Sequence, residues 1–306
     1  MLTLNIAVLG AGALGAYYGA RLQAAGQNVT FLVRQKRAQQ LSEHGLYITS
    51  THGNYVFNNL QFTENVQDIE MPDLVIVALK GYHLKAALPS LKALAEKGAK
   101  ILPLLNGIEH ISILQAELQK EAVLGGSAYI IATLDEKGHV VHTSSQHDLV
   151  FGPLHHSQNE ICRELDSILT GANLNGKLTD SILDEMWNKY MFITAFSGVT
   201  TALNLPIGTI RKYPDTFELL ARVLEEMRSL AEANGISISS DKVGQALEQF
   251  RKLPDGATSS MHQDRRKWLT LELEHIQGGA LRLAEKTGIR LPVTEILYSI
   301  IKPFEN

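Results

Sequence analysis

The sequence predicts an α/β region over residues 1–178 followed by an all-helical region over 179–306. Three observations carry this reading. Short apolar runs alternate with helical patterns in the first half, strand signals stop near Thr179, and beyond it apolar residues recur only at helical spacing. A chain of 306 residues is long enough for two domains.

The first element is an apolar strand over 5–9 in "NIAVLGAGALGAYYGARLQAAGQNVTFLVR". Gly10, Gly12 and Gly15 follow in G-x-G-x-x-G spacing. A helical pattern runs over 13–25, Gly26 marks its stop, and a second strand ends at Val33. Strand, glycine turn, helix and strand together are the context a dinucleotide fingerprint needs, so the first region reads as a Rossmann-type dinucleotide-binding domain. Gly10 allows the tight turn, Gly12 the approach of a pyrophosphate, and Gly15 the packing of helix on sheet. Where an NAD enzyme would place Asp or Glu, the second strand is followed by Arg34, with Lys36 and Arg37 close by. An arginine there suits a 2′-phosphate and favours NADP(H), although a plain basic loop gives the same pattern.

Two further buried strands, 73–79 and 100–105, flank a helical stretch over 83–97. Lys80 and Asn106 fall at their carboxyl ends, where open α/β sheets bind ligands. Singly, a solvated lysine and an Asn-Gly turn account for them; together, in a nucleotide-binding sheet, they become candidates for cofactor and substrate contact. Over 127–153 two strands flank a polar turn and another short strand follows, which reads as antiparallel additions to the same sheet. His139, His142, His147, His155 and His156 lack metal-ligand spacing and are read as non-catalytic, and no metal site is expected.

Helical patterns fill the second region over 180–203, 215–234, 240–252, 261–286 and 293–301, with Gly235 and Gly288 as stops. A cleft between two such domains is a common place for a small-molecule site. Lys189 stands near the start of an apolar helix among Trp187, Tyr190, Met191 and Phe192. It is either part of a solvated rim, with Glu185 at i,i+4, or a lysine held where its proton can be used. Ser260, followed three residues later by Gln263, forms a capping box, a complete structural account of that serine. Glu272 lies twelve residues later on the same predicted helix among apolar neighbours, either an edge residue or a carboxylate held for a partner. As a set, Lys189, Glu272, Asn106 and Ser260 suffice for a reduction: a proton donor for a nascent alkoxide, a carboxylate to orient it, and polar groups to fix the substrate.

Composition narrows the classes. A net charge of -4 gives no electrostatic case for nucleic acid or an anionic membrane as partner. The single cysteine, Cys162, cannot form an internal disulfide; it reads as an inert thiol in a cytoplasmic protein. No apolar run approaches a membrane span, and the N-terminus reads as a strand rather than a signal peptide. A homodimer is allowed but not demanded.

The ordered set "GAGALGAYYG", "VALKGY", "LLNGIEH", "EMWNKYMF", "TTALN" and "SSMHQDRRKWLTLELEHIQGG" resembles the ketopantoate reductase (2-dehydropantoate 2-reductase) family over essentially the whole chain. The resemblance implies NADPH-dependent reduction of ketopantoate to pantoate, on the route to pantothenate and coenzyme A. It also implies Lys189 as general acid and Glu272 as the active-site residue interacting with it. Asn106 and Ser260 would contact substrate, Lys80 would line the cofactor and substrate cleft, and Arg34 would meet the 2′-phosphate. The family usually carries Asn four and eight residues after its lysine, where this chain has Ile193 and Ser197. Ser197 is kept as a substrate-contact candidate in a more apolar pocket. That departure leaves a different branched or aromatic 2-oxo acid as an alternative substrate. A non-catalytic NADP(H)-binding sensor is the alternative of another class.

Overall fold

The structure, a computed structural model, describes residues 3–305. The chain divides into two units, Met1–Leu105 with His110–Ile182, and Asn106–Glu109 with Leu183–Asn306. In chain order the first unit contains β1 (Asn5–Leu9), α1 (Ala13–Ala24), β2 (Asn28–Leu32), α2 (Gln35–His44), β3 (Leu46–Ser50), β4 (Tyr55–Phe57), β5 (Gln61–Thr63) and β6 (Leu74–Val77). It continues with α3 (Leu84–Glu96), β7 (Lys100–Pro103), α4 (Glu109–Glu117, whose first residue belongs to the second unit), β8 (Gly125–Leu134), β9 (Val140–Gly152), α5 (Asn159–Gly171) and β10 (Asn175–Leu178).

One sheet has the order β5-β2-β1-β6-β7 with every pairing parallel. Its central strands read as near-continuous apolar runs because both faces are covered; Leu74, Val75, Ile76 and Val77 are all buried. The register sets Leu9 beside Leu32 and Val77, and Val77 beside Pro103, so four strands finish level. Gly10, Arg34, Lys80 and Asn106 each follow within three residues of those ends.

The expected antiparallel additions to this sheet form a second sheet instead, of order β10-β9-β3-β4, with β8 paired antiparallel to β9. The expected third short strand is also absent as a separate piece: β9 is continuous over thirteen residues. Its polar middle, which reads as a break, is held in the strand by side-chain bonds. Ser144 Oγ donates to Gln146 O at 2.7 Å, and His142 Nε2 lies 3.0 Å from the same carbonyl. Helix α1 contacts both sheets, which is why Gly15 through Leu22 are buried without a break and the helix has no polar face. Tyr18 donates to Asp148 O at 3.0 Å, Arg21 to Ala172 O at 2.8 Å, and Tyr17 OH lies 2.8 Å from His147 Nδ1.

His147 and His142 are buried in that layer, and the His52 and His147 rings stack at 3.8 Å. Burial first, then the charges of His52 and Arg21, pull His147 down to about 4. A histidine that resists protonation in the fold is protonated first in the unfolded chain, so stability is lost as pH falls from about 6.5 towards 4. Urea unfolding at pH 7 and pH 5 is expected to show a loss of about 1–2 kcal/mol at the lower pH, and His147→Gln to remove most of that loss. Cys162 is buried, and burial pushes its thiol up to about 11, a poor state for a nucleophile.

The second unit is helical: α6 (Ile182–Leu203), α7 (Ile207–Arg211), α8 (Pro214–Ala233), α9 (Ser240–Lys252), α10 (Ser260–Arg266), α11 (Gln277–Thr287) and α12 (Pro292–Ile301). Glu226 of α8 caps α12, accepting from the backbone of Val293 at 2.7 Å and of Thr294 at 2.9 Å. The predicted stops at Gly235 and Gly288 are left-handed, with φ of 80° and 76°. The helix expected over 261–286 is two helices. Helix α10 ends in a Schellman motif, Leu269 N bonding to Asp264 O at 3.0 Å and Trp268 N to Arg265 O at 3.1 Å. Trp268 occupies the left-handed position at φ 56°, where glycine is usual, so the sequence gives no stop signal there. Among the described residues no helix is long and apolar enough to cross a membrane.

Candidate active site

The glycine loop of the first unit makes a tight turn and leaves room beside a helix N-terminus. Gly10 has φ +98°, and a Cβ there would lie 2.6 Å from Leu79 Cδ2 and 2.8 Å from Ala78 O. At Gly15 a Cβ would stand 2.0 Å from Gly10 O, so only glycine lets α1 begin this close to the turn. At Gly12 nothing lies within 4 Å, which leaves open space beside the N-terminus of α1. That N-terminus has no side-chain cap and no acidic residue in its first turn, so its N–H groups suit an anion.

Arg34 is exposed at the start of α2, with Nη2 3.2 Å from His83 Nε2. Arg37 takes a structural part instead, donating from Nε to Ala11 O and from Nη1 to Gly138 O, each at 2.8 Å. It braces the glycine loop through Nε and Nη1. Lys80 precedes the short turn Gly81–His83 that leads into α3.

The second unit assembles the remaining residues. On α6, Met186, Trp187, Tyr190 and Met191 are buried around a partly buried Lys189. Burial lowers the lysine's pKa to about 8, and the Glu272 carboxylate works against that fall. Glu272 is 1% exposed and lies in the turn between α10 and α11, where its carbonyl accepts from His275 N and Ile276 N. It is therefore a turn residue and not, as the spacing suggests, a residue on the helix of Ser260. Asn106 Nδ2 donates to Glu272 Oε2 at 3.2 Å. Lys189, Glu272 and Asn106, separated by up to 166 positions in sequence, form one electrostatic cluster.

The serines come out differently. The cap of α10 is Ser259, whose Oγ accepts from His262 N at 3.1 Å. Ser260 is the exposed first residue of the helix, so the capping account given for it passes to its neighbour. Ser197 is 2% exposed and accepts from Gln277 Nε2 at 3.0 Å; the same amide also donates to Thr194 O. Its hydroxyl is thus engaged in packing α6 against the start of α11. Gln277 escapes the sequence reading, and so do Glu109 and Arg282; Glu109 and Gln277 show only as polar residues inside "NGIEH" and "EHIQGG", and Arg282 lies outside both.

A glycine-loop nucleotide fold in the first unit and a lysine–carboxylate cluster in the second are the features expected of the dinucleotide-dependent oxidoreductase class. Comparison with known proteins makes this specific. The family model described as ketopantoate reductase PanE/ApbA matches residues 6–156, and the model of its C-terminal part matches residues 181–305. The chain belongs to the ketopantoate reductase family. The uncharacterized oxidoreductase YkpB of Bacillus subtilis (strain 168) is 32% identical over 302 residues, 99% of each chain. A crystal structure of 2-dehydropantoate 2-reductase from Geobacter metallireducens GS-15 superposes with a TM-score of 0.90 at 28% identity, covering 97% of this chain and 99% of that one. The ternary structure of D-mandelate dehydrogenase with NADH and anilino(oxo)acetate has a TM-score of 0.88 at 23% identity, covering 98% and 97%, and shares the fold.

Proposed function

We propose that the protein reduces a 2-oxo acid to its 2-hydroxy acid, with ketopantoate as substrate and NADPH as donor, in pantothenate and coenzyme A formation. The observation that supports this reading most is the cluster in which Asn106 bonds the buried Glu272 carboxylate beside Lys189, while burial draws the lysine down to about 8, charged yet ready to give up a proton. Bound reduced nicotinamide would supply the hydride to the keto carbon. Lys189 Nζ gives its proton to the carbonyl oxygen as negative charge develops there. Glu272 keeps the partly buried lysine protonated, and Asn106 fixes the carboxylate. Asn106 and Ser260 hold the substrate, while Lys80 joins Gly10, Gly12 and Gly15 in holding the cofactor. Arg34 meets the 2′-phosphate, so Arg34→Ala is expected to weaken NADPH binding about ten- to a hundredfold, as losing a charged hydrogen bond does. Titration calorimetry with NADPH and NADH checks this, NADH being unaffected.

One observation favours a second reading within the same chemistry. Lys189, Ile193 and Ser197 are spaced by four on α6 and share a face. Ile193 offers no hydrogen bond there, and the Ser197 hydroxyl is taken by Gln277. A face so lined suits a 2-oxo acid without a C4 hydroxyl. The deciding experiment follows NADPH absorbance with ketopantoate, 3,3-dimethyl-2-oxobutanoate and 2-oxoisovalerate. A site that hydrogen-bonds the hydroxyl rejects the analogues by about 10⁴-fold. Comparable rates would assign the apolar substrate, and NADPH binding without turnover of any of the three would point to the sensor.

A further inference from the structure

The four residues Asn106–Glu109 belong to the helical unit, although the chain on either side of them belongs to the other. Beside the Asn106–Glu272 bond, three further contacts hold them there. Gly107 has φ +86°, and a Cβ on it would come within 2.4 Å of His275 O, so its backbone lies directly on the turn that carries Glu272. Next, Arg282 of α11 grips Glu109, whose side chain is 15% exposed, with Nη2–Oε2 at 2.6 Å and Nε 3.2 Å from the same oxygen. The same guanidinium donates to Glu274 O at 2.6 Å and to Glu274 Oε2 at 3.2 Å. One arginine therefore ties the 106–109 segment to the turn of Glu272. Last, a Cβ at Gly279 would stand 3.0 Å from Glu109 Oε2 and 3.2 Å from Tyr190 OH. The missing side chain admits the carboxylate beside Tyr190, the neighbour of Lys189 in sequence.

We propose that Glu109 and Arg282 are positioning residues, a clasp that keeps the Asn106 amide on the Glu272 carboxylate in the arrangement Lys189 uses. The proposal rests on the reductase reading of Lys189 and Glu272. Neither clasp residue is given contact with substrate or cofactor in the reductase reading. The forked guanidinium fixes direction as well as distance, which an apolar contact would not. It also balances the Glu109 charge in a region where Glu272, His275, Glu274 and Lys302 already interact. Without Arg282 the Glu109 carboxylate is uncompensated, and a released Asn106 no longer shares the Glu272 charge through its hydrogen bond; both favour a protonated Lys189.

The test uses the full chain: wild type, Arg282→Met, Glu109→Gln and the double variant. Amide exchange over 106–109 is expected to quicken about tenfold or more in each single variant. Turnover falls about ten- to a hundredfold, the scale of an ångström's misplacement, with the KM for NADPH unchanged. The double variant is no worse than the worse single, because the two residues act as one. NMR of labelled lysine is expected to show Lys189 in Arg282→Met titrating above its value of about 8. If unfolding midpoints drop while the segment stays protected and the lysine is unmoved, the pair is only a brace and the proposal is wrong. If Arg282→Met fails to fold, Arg282→Lys, which keeps the charge and loses the fork, is read in the same way. A wild type that reduces no 2-oxo acid overturns the reductase reading, and exchange with lysine titration still decides the clasp.

Discussion

Lys189→Ala is expected to lower 2-oxo acid turnover by about 100- to 10,000-fold, the usual worth of a general acid. The NADPH dissociation constant should stay as it is, because the glycine loop and Arg34 are untouched. Steady-state rates and titration calorimetry on one preparation separate the two effects. Lys189→Arg should fail as badly, since a guanidinium stays charged throughout the working range and has no proton to lend. In the wild type, kcat/KM should fall about tenfold per pH unit above a limb near 8, where the lysine loses its proton. Turnover of Lys189→Ala near the wild-type rate would remove the lysine from the chemistry and the reductase reading with it.

The same lysine carries a sign for stability. In the unfolded chain it holds its proton to about 10.5, in the fold only to about 8. Below pH 8 it is charged in both states, and burying that charge costs the fold about 3 kcal/mol as an order of magnitude. Between pH 8 and 10.5 only the unfolded chain is protonated, so this contribution makes the protein more stable as pH rises. A group that weakens the fold at neutral pH is kept for a reason other than packing, which bears on the rim-or-donor choice the sequence leaves open.

Much of the fold was legible because it rests on local signals. A glycine fingerprint between two apolar strands, and apolar residues at helical spacing, need no partner from elsewhere in the chain. The misreadings occurred where distant contacts override such signals. Trp268 sits in a left-handed position that only the hydrogen-bonded end of α10 stabilises, so one predicted helix is two and Glu272 lies in the turn between them. The cap moved by one residue, to Ser259, because Thr200 also bonds that hydroxyl at 3.0 Å across 59 positions. The strand β9 runs through its polar centre because Ser50 and Tyr17 meet His142 and His147. At the site, the residue types pointed to a lysine with a carboxylate. The Asn106–Glu272 bond spans 166 positions, and no spacing encodes it.

Glu272→Gln is expected to move the basic limb of the pH–rate profile to lower pH and to reduce turnover at pH 8 by about ten- to a hundredfold. Glutamine keeps the size of the side chain and an oxygen for the Asn106 amide, so the change is almost purely one of charge. The Glu272 carboxylate opposes the burial that lowers Lys189. With that charge gone the lysine sheds its proton more readily, and a neutral amine has no proton to give the alkoxide. Activity should then recover partly as pH is lowered towards 6, which a loss of structure would not produce. Glu272→Ala is the harsher control, since it also strips the Asn106 amide of its acceptor and leaves a cavity, and no acidification should rescue it. The measurement is kcat/KM across pH 5.5–9.5 for the three proteins. A limb that stays near 8 in Glu272→Gln would mean that burial alone sets the lysine, leaving Glu272 only to anchor Asn106.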